Sequence, residues 1–99
     1  MAFMIFSIDV PNSEPLREPH RRAHLAYLHA QMDRLVASGC LLDEAGDKYI
    51  GACVLLDVET EEEARAFVAG DPFTKAGVTK DVMIARWREF YLDGKRTRG

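Results

Sequence analysis

The run Ala2-Phe3-Met4-Ile5-Phe6-Ser7-Ile8-Asp9-Val10 decides the architecture. Alternation puts Phe3, Ile5 and Ser7 on one face of an extended strand and Met4, Phe6 and Ile8 on the other. Both faces stay apolar until Asp9, which is the pattern of a central strand covered on each side. Pro11-Asn12-Ser13-Glu14-Pro15 then stops the strand, because prolines and turn-forming polar residues cannot continue a hydrogen-bonded ladder.

Outward from that strand, the pattern turns helical from Pro19 to about Ser38. Leu25, Leu28, Met32, Leu35 and Val36 recur at spacings of three and four as a core stripe, and Gly39 is placed to end the helix. Cys40 to Leu42 reads as a short strand, Glu44-Ala45-Gly46-Asp47 as a turn, and Tyr49 to Val58 as a stronger strand with Gly51 near its start. Thr60-Glu61-Glu62-Glu63 predicts a second helix through a capping box: Thr60 accepts from the Glu63 amide and Glu63 reaches back to the Thr60 amide. The three carboxylates also suit the positive end of the helix dipole, which accounts for them without catalysis. Ala64, Phe67 and Val68 form its buried face and Gly70 its end. Asp71-Pro72-Phe73 opens a short turn that runs to Gly77. Val82 to Tyr91 is the last predicted strand, with Val82, Ile84 and Phe90 on one face and Met83, Ala85, Trp87 and Tyr91 on the other. The order β-α-β-β-α-β is the ferredoxin-like α+β arrangement: a four-stranded antiparallel sheet with both helices on one face. Residues 1–94 read as one domain and residues 95–99 as a basic, flexible tail. Because the first strand is apolar on both sides, the second sheet face needs a cover, and another copy of the chain supplies it most simply.

With 99 residues, 47% apolar and 29% charged, the chain has room for one globular domain only. Its 13 Lys and Arg against 16 Asp and Glu give a formal charge of −3, without the basic footprint that nucleic acid demands. The longest apolar runs, Ala2 to Phe6 and Ala52 to Leu56, fall far short of the roughly 20 residues that cross a bilayer. No charged segment followed by an apolar one opens the chain, so a cytoplasmic protein with neither nucleic acid nor membrane as partner is expected. Cys40 and Cys53 sit among apolar neighbours and read as buried, reduced thiols rather than a disulfide. Neither belongs to a C-x-x-C pair.

His20, His24 and His29 share the first helical segment. At about 100° per residue, with Leu28 at zero, His24 lies near −40°, His20 near −80° and His29 near +100°. His29 points away from His20, so a three-histidine zinc site within this helix is geometrically excluded. The pair His20 and His24 lacks the glutamate of the H-E-x-x-H motif, and no metal or cofactor is expected. His24 falls inside the apolar stripe, as does Arg21, near +20° on the same wheel. An imidazole and a cation on a core-facing stripe must be hydrogen-bonded or face a cavity. The bland alternative is a satisfied core histidine beside an arginine that snorkels to water. Asp71 before Pro72 is a strong helix cap in its own right. A sharper reading makes that carboxylate orient an imidazole from the first helix.

In their order and spacing, Arg21-x-x-His24-Leu25, Gly39, Ala45-Gly46, Gly51, Glu62-Glu63-Ala64, Asp71-Pro72-Phe73 and Ala76-Gly77-Val78 resemble the YciI-like (YCII-related) family. The resemblance runs from Met1 to about Trp87. One departure is Asp47 after Gly46, where many relatives carry proline and a longer insert. The resemblance implies a dimeric α+β barrel, similar to muconolactone isomerase, in which two ferredoxin-like sheets face each other. It also implies an active site of one histidine and one aspartate, matched here by His24 and Asp71, with Arg21 matching an arginine one turn earlier. A few similar proteins are lyase-like and remove halide from chlorinated hydroxyquinols. On that basis His24 is the expected general base, Asp71 its orienter, and Arg21 the group that meets a developing enolate or a substrate carboxylate. The expected function is cofactor-independent proton-transfer chemistry, of lyase or isomerase type, on a small cyclic or phenolic acid, carried out by a homodimer. Two readings compete with it. One is a non-catalytic module that binds a small molecule or a partner; the other, by analogy of fold alone, is a cofactor-free quinol monooxygenase.

Overall fold

Ala2–Asp9 forms β1, and Leu35–Leu42, Tyr49–Asp57 and Thr79–Trp87 form β2, β3 and β4 of one antiparallel sheet in the order β2-β3-β1-β4. This computed structural model describes residues 2–98; Met1 and Gly99, the outermost residues of the expected domain and tail, lie outside the described residues. The central place of β1 explains its doubly apolar pattern. On one face Phe3 and Ile5 are 2% and 4% exposed, opposite Leu56 and Val54 of β3, with Ile84 of β4 across from Ile5. Helices cover that face. They are α1 (Glu14–Arg17), α2 (Arg21–His29), α3 (Glu61–Gly70) and α4 (Pro72–Lys75), with a 3₁₀ turn at Glu18–His20 between the first two. Ala64 and Phe67 of α3 close the core over β1 and β3. The result is the ferredoxin-like α+β fold expected from the order of elements.

The other face carries Met4, Phe6, Leu55, Met83, Ala85 and Trp87 by the same register, and no helix of the described residues lies over it. Met83 is 52% exposed, while the indole N–H of Trp87 is buried without an acceptor. At Gly51 a side chain is impossible in this register: a Cβ there would lie 2.1 Å from the Ser7 carbonyl oxygen. Among the described residues, no helix is long and apolar enough to cross a membrane.

Four sequence expectations are corrected. The helix predicted from Pro19 to Ser38 ends at His29, and after a 3₁₀ turn at Met32–Arg34 the chain enters β2 at Leu35. Leu35 reaches the core from the sheet, opposite Leu56, so the apolar spacing across the segment joined a helix to a strand. Leu25 and Met32, counted in that stripe, are 57% and 62% exposed, and Gly39 lies inside β2 instead of ending a helix. The last strand of the sheet is shifted toward the N-terminus, running over Thr79–Trp87 instead of Val82 to Tyr91. Beyond it, Tyr91–Leu92 (β5) pairs with Lys95–Arg96 (β6), so part of the expected flexible tail is a hairpin. Its turn residues Asp93 and Gly94 have φ of 52° and 73°, the geometry that a two-residue hairpin turn demands and that Asp-Gly provides. In the α3 cap, Thr60 Oγ1 accepts from the Glu63 amide at 3.2 Å as expected. The Glu63 carboxylate, however, accepts from the Thr60 hydroxyl instead of its amide.

Candidate active site

Gly70 ends α3 where α2 crosses it. A Cβ at Gly70 would lie 2.6 Å from the Tyr27 hydroxyl, and that hydroxyl donates to the Phe67 carbonyl at 2.9 Å. This close contact holds α2 against the α3–α4 junction. Asp71 caps α4, its Oδ1 accepting from the Phe73 amide at 2.9 Å. The same Oδ1 accepts from His24 Nδ1 at 2.7 Å. Cap and imidazole partner are thus one oxygen, and the capping geometry aims the carboxylate at the histidine. The two side chains are 18% and 16% exposed. Phe73, itself buried, stacks on the imidazole with centroids 3.9 Å apart and planes 9° from parallel. An ionised carboxylate only accepts, so Nδ1 carries a proton, and in the neutral imidazole Nε2 then holds the lone pair. Among the described residues no group bonds to Nε2.

His24 and Asp71 stand on the wall of a cavity of about 410 Å³ between the helices and the sheet. Its sheet side is Ile5, Ser7, Ala52 and Val54; its helix side includes Leu28, Phe67 and Phe73. Arg21 also lines this cavity, but its guanidinium turns outward to Glu14 and Glu18, 3.3 and 3.4 Å away. His20 and His29 are exposed and do not join the group. Cys40 and Cys53 are both free thiols, but neither is buried as expected: Cys53 is only partly buried and Cys40 is exposed. The reason is its place on β2, an edge strand with a neighbour on one side only.

The sequence reading missed a second group in the same cavity. Arg17 is 4% exposed and lines the cavity. Its Nε and Nη2 both donate to Asp9 Oδ2, at 3.0 and 2.6 Å, and the Ser13 hydroxyl donates to the same oxygen at 3.3 Å. The guanidinium carbon lies 4.9 Å from the Phe73 ring centroid and 5.1 Å from that of Tyr49. Phe73 therefore touches both the imidazole and the inner arginine. The signal was present in β1: Asp9 follows Phe3, Ile5 and Ser7 on the core side, and a carboxylate there requires a cation or donor partner.

The YCII-related domain family matches residues 1–88 of the chain. An uncharacterized protein of Haemophilus influenzae is 30% identical over 98 residues, covering 92% of this chain and 100% of that protein. Protein YciI of Escherichia coli O6:H1 is 29% identical over 98 residues with the same two coverages, 92% and 100%. Among solved structures, the chain is similar to 5-chloro-2-hydroxyhydroquinone dehydrochlorinase from Burkholderia phenoliruptrix AC1100, in complex with 2,5-dihydroxybenzoquinone. That likeness has 32% identity and a TM-score of 0.83, and spans 89% of this chain and 94% of the other.

Proposed function

Because the chain belongs to the YCII-related family, we propose that it is a cofactor-independent enzyme of lyase or isomerase type that moves a proton on a small cyclic or phenolic acid. The observation that carries this reading is the 2.7 Å bond between His24 Nδ1 and Asp71 Oδ1 on the wall of a cavity of about 410 Å³. That volume suits one substituted ring. The similarity to a dehydrochlorinase of a hydroxyhydroquinone supports the substrate class.

His24 Nε2 is the general base, taking a proton from a phenolic O–H or from a carbon beside a carbonyl. Asp71 holds the ring in the tautomer that leaves Nε2 free and stabilises the imidazolium once it forms. In a dehydrochlorination the proton passes to Nε2, the electron pair it leaves forms a new π bond, and the C–Cl bond breaks to release chloride. In an isomerisation the same nitrogen returns the proton to a different carbon. Arg17, fixed by Asp9, offers a positive charge inside the cavity to an oxygen that becomes anionic. Arg21, nearer solvent, meets a substrate carboxylate by leaving Glu14 and Glu18. The proposal includes a homodimer, with a second copy covering the apolar face of Met4, Phe6, Leu55 and Met83.

Chlorinated hydroxyquinols and muconolactones assayed for chloride release and absorbance change test this. Wild type is expected to turn over at least one of them, and His24→Ala to lose about a hundredfold or more. Equal rates in both proteins would remove His24 from the mechanism. Saturable binding of these compounds without turnover would favour the non-catalytic binding module.

A further inference from the structure

Residues 89–99 lie beyond the span that matches the family, and among the described ones are apolar side chains that stay about half exposed in one copy. Every described residue from Phe90 to Arg98 is exposed, including Phe90, Tyr91 and Leu92 at 51%, 61% and 46%. A two-stranded hairpin standing alone is marginal in water, so the β5–β6 ribbon calls for a surface to lie on. It is also basic. Arg88, Lys95, Arg96 and Arg98 against Glu89 and Asp93 give residues 88–99 a formal charge of +2, which leaves −5 on the rest of a chain whose total is −3.

A second cavity, of about 440 Å³, opens at the opposite end of the sheet, walled by Ile8, Val10, Pro11, Pro15 and Ile50. Lys48 also lines it, and the turn that leads into it adds Asp43, Glu44 and Asp47, so that residues 43–48 carry a formal charge of −2. Apolar walls beside an acidic turn complement an apolar ribbon with basic ends. The hairpin cannot reach this cavity in its own copy. It leaves the sheet after Trp87, which pairs with Ala2, while the cavity begins at Ile8, about 20 Å further along β1 at the rise of an extended chain. A two-fold axis between two facing sheets and perpendicular to β1 would reverse the strand direction and bring each hairpin to the end of the sheet where the other copy's cavity opens.

We propose that two copies of this chain exchange their C-terminal hairpins, each seating Leu92 in the cavity between Ile8 and Ile50 of the other. The exchange reaches the active site. Tyr49 borders both cavities, and Asp9, a wall of the second, holds Arg17 in the first. The seated hairpin therefore backs the wall that positions the inner arginine. This inference rests on the two-copy reading, not on the chemistry assigned to His24.

Sedimentation equilibrium on the full chain tests it. Leu92→Glu in the ribbon and Ile50→Glu in the cavity are each expected to raise the dimer Kd about tenfold or more. Glu44→Lys added to Lys95→Glu should recover part of what Lys95→Glu loses. These positions are exposed, and far-ultraviolet circular dichroism checks that each variant is folded; Phe90→Glu, two positions before Leu92 and 51% exposed, replaces any ribbon variant that is not. A dimer whose Kd stays within about twofold in both glutamate variants overturns the exchange while leaving two copies in place. Weakening by Leu92→Glu alone puts the ribbon elsewhere and overturns this seat. A wild-type monomer at 100 µM overturns the exchange and the two-copy reading together, and leaves the turnover assay of His24→Ala as an independent test.

Discussion

Removing one partner of the Asp9–Arg17 pair should destabilise the protein far more than removing both. The two side chains are each 5% exposed and 2.6 Å apart, so loss of either leaves a buried charge without its counter-ion, at a cost of about 3–5 kcal/mol. The two losses differ. After Asp9→Ala, the guanidinium keeps the Phe73 and Tyr49 rings at 4.9 and 5.1 Å as partners, contacts worth about 0.5–2 kcal/mol to an otherwise unpaired cation. After Arg17→Met, the carboxylate keeps only the Ser13 hydroxyl at 3.3 Å among the contacts described above. Arg17→Met is therefore the more damaging, at the upper end of the range, and Asp9→Ala falls near its lower end. The double variant Asp9→Ala/Arg17→Met leaves no unpaired charge and should cost less than Arg17→Met alone. In a domain of this size each kcal/mol lowers Tm by roughly 4–8 °C, so Asp9→Ala should melt about 12 °C or more below wild type. Urea unfolding of the four proteins, with equal slopes, gives the coupling directly. Two single variants that each cost under about 1 kcal/mol, or a double variant equal to their sum, would refute the reasoning.

Gly51→Ala should cost at least about 3 kcal/mol, because its Cβ meets the Ser7 carbonyl oxygen at 2.1 Å and backbone cannot yield as a side chain can; a soluble variant with unchanged urea midpoint would contradict the register of β1 against β3. Asp43 accepts the Lys48 and Asp47 amides at the β2–β3 turn, and these hold its carboxyl below its ordinary value of 3.8. Its contribution is complete above that ordinary value and is lost as pH falls through the lower folded one. Carbon-detected NMR should show Asp43 titrating below 3.8 in the folded protein and Asp43→Asn removing this acid-side dependence; titration at or above the ordinary value contradicts the turn geometry.

Much of the frame was legible because it rests on local chemistry. Alternation in β1, the Thr60 cap of α3 and the Asp71-Pro72 cap of α4 are decided by residues within a few positions of one another, and they fold where expected. The segment after His29 was not legible. Leu28, Met32, Leu35 and Val36 keep helical spacing across a break, and only tertiary pairing with Leu56 makes Leu35 a strand residue. The hydrogen bond between His24 and Asp71 spans 47 positions, and no spacing rule joins the two. Its partners were named through the capping position of Asp71, the stripe position of His24 and the family resemblance. Arg17 escaped because it lies in a short proline-flanked segment that carries no periodic signal, although Asp9 on the core side of β1 required a partner of that kind.

The most direct test of the central claim is the protonation of the His24 ring itself. Long-range proton–nitrogen correlation of the neutral imidazole should show the proton on Nδ1 and a lone pair on Nε2 in wild type, with that preference lost in Asp71→Ala. A neutral His24 carrying its proton on Nε2, or a spectrum unchanged by Asp71→Ala, would contradict the pair and the proton transfer built on it.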